Sequence, residues 1–192
     1  MYELLVLGAL MVHDRTGYKL RQILEGNLDT RRKISNGVMY PVLHKLEQDG
    51  YITLSKLRVE GREQKLASIT DAGRAYFEKL MHQPIPNDAK REATYRFKIR
   101  AMGRETVGFQ RAVLTDYQAI ILQDLKDYQT VTDHLLSQKD NPERQVDIGW
   151  NLRAFDLAQA INHAKLTWVN EQLAALDGLA DDDHFTTLPI TE

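Results

Sequence analysis

Cysteine is absent from the 192 residues, which excludes a disulfide framework, a zinc–thiolate site and a cysteine nucleophile. A chain of this length can bury a core without such staples. A membrane-spanning run is missing as well: Leu4 to Val12 is apolar but too short to cross a bilayer, and "MYELLVLGALMVHD" carries no basic leader. The expectation is a soluble cytoplasmic protein with no membrane partner. Catalytic signatures are also lacking. There is no His-Glu-x-x-His, no phosphate-cradling glycine loop and no Gly-x-Ser-x-Gly. Histidines 13, 44, 82, 134, 163 and 184 have no metal-ligand spacing. The acidic run Asp181 to Asp183 and the pair Asp124 and Asp127 read as solvated carboxylates. No enzyme activity, no cofactor and no metal is expected.

What is present is unevenly distributed. Residues 1–82 carry 13 basic and 10 acidic residues, and residues 83–192 carry 12 and 17. The front is weakly basic and the back acidic. The helical patterning breaks at "HQPIPND", where Pro84 and Pro86 favour an extended segment. This predicts two domains, 1–82 and 83–192.

Before the break the elements are short. Tyr2 to Val12 reads as a buried helix. "DRTGYKLRQILEG" reads as a second, capped by Asp14 or Thr16, with Leu20, Ile23 and Leu24 inward and Gly26 as its stop. "ISNGVMYPVLHKLEQDGYI" reads as a third, with Met39, Val42, Leu43 and Leu46 on one apolar face. Ser35 is its expected N-cap and Gly50 its stop. Gly37 and Pro41 fall inside its first turns, where both are costly, and together they predict a bend. "YITLSKLRVEGREQKLASIT" reads as two strands around a turn at Glu60-Gly61. Thr70 then caps "DAGRAYFEKLM".

After the break the chain reads as almost all helical. Ala89 to Met102 is one helix, Glu105 to Gln138 a long one and Glu143 to Leu176 another, followed by an acidic tail expected to be frayed or loosely docked. The long pair should form an antiparallel hairpin. Their apolar stripes, Val107 to Leu135 and Ile148 to Leu176, are wider than one partner helix covers, so a homodimer is expected to bury the remainder.

Three helices followed by a β-hairpin is a winged helix-turn-helix order, in which the third helix enters the DNA major groove and the hairpin is the wing. The third helix has a suitable outer face. Asn36, Tyr40, His44 and Gln48 recur every four residues opposite the apolar face. Asn and Gln read adenine edges, while Tyr and His bond phosphates or bases. Arg31, Arg32 and Lys33 stand just before the helix N-terminus, where phosphates bind. Ser35, Gly37 and Lys45 complete the helix contribution, and Arg58, Arg62 and Lys65 are the cations of the wing. A polar stripe on a helix is ordinarily just a solvated face. The hairpin and the element order together move the reading towards DNA.

With these residues in view, the sequence resembles the PadR family of transcriptional regulators. The matching stretches are "TGYKL" (Thr16 to Leu20), "SNGVMYPVLHKLEQDGYI" (Ser35 to Ile52) and "GREQKLASITDAGR" (Gly61 to Arg74). "HQPIP" and the helix through Phe97 to Met102 are similar to a longer-tailed branch of the family, which includes a phenolic-acid-responsive repressor and a virulence activator. One departure stands out. The family has tyrosine just before its Leu-Thr, where Leu66, Ala67 and Ser68 stand here. The resemblance implies a mostly α fold, with an N-terminal winged helix-turn-helix and a C-terminal helical dimerisation domain built on a long antiparallel helix pair. It implies a homodimer on an inverted-repeat operator of double-stranded DNA, a repressor released by a small aromatic effector such as a phenolic acid. Candidate effector residues are Tyr2, Tyr95, Arg96, Phe97, Trp150, His163 and Trp168, aromatic walls with a cation for a carboxylate. Aromatics at helical spacing are more often core. The competing reading is a winged-helix protein-interaction adaptor without DNA binding.

Overall fold

The computed structural model describes residues 1–28, 34–59 and 62–184. The chain forms two compact units, which divide between Ala101 and Met102. The first holds α1 (Tyr2–Leu10), β1 (Arg15–Thr16), α2 (Gly17–Leu28), α3 (Asn36–Gln48), β2 (Ile52–Val59), β3 (Arg62–Ile69), α4 (Asp71–His82) and α5 (Arg91–Ala101). The second holds a 3-10 turn, Met102–Arg104, then α6 (Val107–Ser137) and α7 (Gln145–Ala175).

The first unit is built around α1. Leu4, Leu5, Val6 and Leu7 are consecutive and all buried, so this helix is enclosed on every side rather than amphipathic. Leu20 and Leu24 of α2, Met39, Leu43 and Leu46 of α3, and Phe77 and Met81 of α4 complete the core. Each such side chain contributes about 1.5–3 kcal/mol by leaving water. The sheet has the order β1-β3-β2. β2 and β3 form the expected hairpin, with Ile52 opposite Ile69 and Val59 opposite Arg62.

Several boundaries depart from the sequence reading. β1 was not foreseen: two residues of irregular sequence pair with β3, Arg15 opposite Ala67 and Thr16 opposite Leu66. Ala67 is therefore the buried centre of a three-strand row, between Arg15 and Leu54. Thr16, not Asp14, caps α2, its Oγ1 accepting from the Lys19 N–H at 3.4 Å. Gly26 does not end α2, which runs on to Leu28; a glycine inside a helix costs about 1 kcal/mol and tertiary packing tolerates it. The expected boundary at 82/83 moves to 101/102, because α5 belongs to the first core. Tyr95 and Phe97 are buried there, and a Cβ on Gly8 would lie 2.5 Å from Phe97 and 3.1 Å from Phe77. The proline segment crosses the surface of this unit as a strap, with the Lys98 ammonium donating to the Gln83 carbonyl at 2.5 Å.

In the second unit α6 and α7 pair as an antiparallel hairpin. Gln118 bonds Asn170 at 2.6 Å and Gln159 bonds Thr132 at 3.2 Å, early residues of one helix meeting late residues of the other. The acidic tail is not frayed as far as His184. The Val107 and Gly108 N–H groups donate to the Asp183 and Asp181 carbonyls, both at 2.9 Å. These are orphan donors of the first turn of α6, and the returning chain satisfies them. Arg111 fastens the same turn, donating to the Leu176 and Leu179 carbonyls at 3.0 and 3.3 Å. Among the described residues no helix is long and apolar enough to cross a membrane.

Candidate nucleic-acid interface

α3 presents two distinct faces. Met39, Leu43 and Leu46 are buried, while Ser35, Gly37, Tyr40, His44 and Gln48 are exposed. The helix runs through Pro41 as one element. Its start is tight: the Ser35 carbonyl accepts from both the Val38 and the Met39 N–H, at 3.1 and 3.2 Å. The expected side-chain cap is not formed, for the Ser35 hydroxyl makes no capping hydrogen bond. Gly50, with φ +74°, carries the chain out of the helix in the left-handed conformation that favours glycine. Among the described residues, a Cβ at Gly37 would meet only the Ser35 Oγ, at 3.6 Å, so their packing does not demand glycine there.

The expected contact residues divide into three groups. Tyr40, His44 and Lys65 stand together around an open groove of about 310 Å³, bounded by the start of α2, the outer face of α3 and β3. Tyr40 is 47% exposed. Lys45 is turned elsewhere: its Nζ donates to Glu3 Oε1 of α1 at 2.6 Å, so its charge is engaged on the far side of the helix. Arg31, Arg32 and Lys33, the side chains of Asn36, Arg58 and Arg62, and the Glu60-Gly61 turn lie outside the described residues. Thr16, Tyr18 and Gln64 also line the groove. Sequence reading missed them because only the β1–β3 pairing brings the start of α2 alongside the wing.

The orientation of α3 is held from behind. Glu3 accepts from Lys45 and, through its other oxygen, from the Tyr76 hydroxyl at 2.9 Å. Tyr76 stacks on Tyr51, their centroids 4.2 Å apart. Partial burial pushes the Glu3 carboxyl up, but the hydrogen bonds from Lys45 and Tyr76 and the Lys45 charge outweigh it and hold its pKa below the ordinary carboxylate value. The Glu3 hydrogen bond in turn raises Lys45. α1, α3 and α4 are thus tied at one carboxylate.

The candidate effector residues are divided between the two units. Tyr2, Tyr95, Arg96 and Phe97 belong to the first unit, and Trp150, His163 and Trp168 to the second. Tyr95 and Phe97 are core residues; Arg96 is exposed. Trp150 and Trp168 are exposed and stand 18 positions apart on α7, about 27 Å along the axis. A single small ligand cannot touch both within one chain.

Three helices, a flanking hairpin and a polar outer face on the third helix define a winged helix-turn-helix protein with a helical extension. Residues 6–79 match the model of the transcriptional regulator PadR-like family. It is 30% identical over 91 residues to the negative transcriptional regulator PadR of Bacillus subtilis, covering 45% of this chain and 50% of that protein. The chain spans half or less of the length of the curated relatives it matches. These relatives are regulators, not enzymes. Among solved structures it is similar to Bacillus subtilis PadR in complex with operator DNA, at 24% identity and TM-score 0.41, covering 91% of this chain and 98% of that one. It is likewise similar to the same protein in complex with p-coumaric acid, at 22% identity and TM-score 0.37, covering 91% and 94%.

Proposed function

We propose that this protein is a homodimeric, sequence-specific DNA-binding regulator, a repressor released by a small aromatic acid. The observation that carries the reading is the outer face of α3. Tyr40, His44 and Gln48 are exposed along one side of a helix whose other side is fixed in the core, and the wing stands beside it. Such a face reads base edges from the major groove while flanking cations hold phosphates. Gly37 suits this role: nothing among the described residues needs its small size, but close approach of a DNA backbone at the helix start would. Arg31 to Lys33, Arg58, Arg62 and Lys65 are the proposed phosphate contacts.

Homodimerisation is supported by the apolar surface left open on the helix pair. Val146, Trp150, Leu157, Ile161 and Trp168 of α7 are all exposed, as are Leu122, Val131 and Leu136 of α6. A second copy would cover them and set two recognition helices on successive turns of an inverted repeat, about 34 Å apart. Residues 1–101 would then supply DNA binding and the remainder dimerisation and effector response. The phenolic-acid class follows the family resemblance and the p-coumaric acid complex of the Bacillus subtilis relative. Release requires that the effector bind the DNA-incompetent state more tightly than the competent one.

Selection of bound duplexes from a random pool with the purified chain tests the reading. An enriched inverted repeat is expected, and phenolic acids added afterwards should lower its affinity. If no sequence is enriched, the adaptor reading replaces this one.

A further inference from the structure

We propose that the groove between α2, α3 and β3 seats one phosphodiester of the DNA backbone, and that Tyr18 is the donor that fixes it; this rests on the DNA-binding reading above. Tyr18 is 60% exposed, so it contributes little to the core. Yet it is held in place. Its hydroxyl oxygen accepts from Gln22 Nε2 at 3.0 Å, and the Arg21 guanidinium lies 5.4 Å from its ring centroid. With that acceptor position used, the phenol proton remains to be donated outward.

The groove that Tyr18 borders is polar, with Thr16, Tyr40, His44, Gln64 and Lys65 around a floor of Leu43 and Leu54. Among the described residues no carboxylate lines it. Lys65 brings a cation to the groove, and Thr16, Tyr18, Tyr40, His44 and Gln64 bring hydrogen-bonding side chains. A ligand with negative charge and oxygen acceptors suits that lining. Tyr40 and His44 belong to both this groove and the outer face of α3, so a duplex read by that face would carry its backbone across the groove. β1 makes the arrangement: Thr16 pairs with Leu66, which sets the first residues of α2 against Gln64 and Lys65. The phosphate would accept from the Tyr18 hydroxyl and from Lys65 Nζ, both charge-assisted bonds.

The test uses the full chain and its selected duplex, read by fluorescence anisotropy over a salt series. Tyr18→Phe removes only a hydroxyl and should weaken binding by about tenfold at every salt concentration, leaving the salt slope unchanged. Lys65→Gln should lower that slope by about 0.9. Single methylphosphonate linkages are then placed through the duplex. At one linkage the wild type and Tyr18→Phe should bind alike, because the charge that Tyr18 serves is gone. Wild-type affinity in Tyr18→Phe, or a deficit that persists at every neutral linkage, overturns the seat while DNA binding stands. A wild type that binds no duplex overturns the DNA reading itself.

Discussion

Gly73→Ala pits helix propensity against tertiary contact, and the two give opposite signs. Gly73 lies in the first turn of α4, and a helical glycine replaced by alanine normally gains about 0.5–1 kcal/mol. Here the new Cβ would fall 2.0 Å from the Tyr51 carbonyl oxygen and 2.9 Å from Ile69 Cγ1. Backbone cannot yield as a side-chain tip can, so α4 must move off the segment that follows α3. That movement strains or breaks two bonds of the junction, from the Thr70 N–H to the Tyr51 carbonyl (3.1 Å) and from the Thr70 hydroxyl to the Gly50 carbonyl (2.7 Å). Each is worth about 1 kcal/mol, and overpacking adds about 1–3 kcal/mol. The net loss should be about 2–4 kcal/mol, a fall in Tm of roughly 5–15 °C for a chain of this size. Thermal melts followed by circular dichroism measure it. Gly26→Ala serves as the opposite case: no described residue lies within 4 Å of its Cβ, so the variant should gain about 0.5–1 kcal/mol. A Gly73→Ala protein that melts at or above the wild type would refute the steric account of the Thr-x-x-Gly sequence at the start of α4.

Three further outcomes are expected. The Glu3 carboxyl is depressed in the folded chain, so its contribution to stability is present above the unfolded carboxylate value near 4.5 and is lost as pH falls through the lower folded value. The stability difference between wild type and Glu3→Gln, followed by urea titration at several pH values, should therefore shrink on acidification below that point; a constant difference would separate Glu3 from the Lys45–Tyr76 tie. Tyr40→Ala should weaken binding to the selected duplex by tenfold or more while sedimentation shows an unchanged assembly, and equal affinity would remove the outer face of α3 from the interface. Trp150→Glu places a charge on a side chain that is 68% exposed in the single chain. It should leave helicity intact and raise the dimer dissociation constant more than tenfold, whereas an unchanged constant would place the dimer contact elsewhere.

Local features carried much of the first unit. The apolar spacing of Met39, Leu43 and Leu46 marked the buried side of α3, and the Thr70 cap appears as read, accepting from the Gly73 N–H at 3.0 Å. The hairpin forms as read, but its imperfect alternation left the register open, and the structure sets Ile52 opposite Ile69. Errors arose where a distant partner decides. Gly26 has the chemistry of a helix stop, but propensity is a weak prior and α2 continues past it. Pro84 and Pro86 mark a real break in helix, yet not the edge of a core, because Phe97 returns to pack beside Gly8. Lys45 pairs with a carboxylate 42 residues away, a partner that its own neighbourhood in the sequence does not show.

The sequence by itself determined the element order and the inner and outer faces of α3, because helical and strand periodicity and capping are properties of neighbouring residues. Those features sufficed to suggest the family. Only the tertiary structure decided which surfaces meet: that β1 joins the wing, that Tyr18 and Lys65 line one groove, that Glu3 ties three helices, and that the acidic tail returns to cap α6. Each is a contact between residues far apart in the chain. Such contacts depend on how the whole core closes, and no local pattern of residues encodes them.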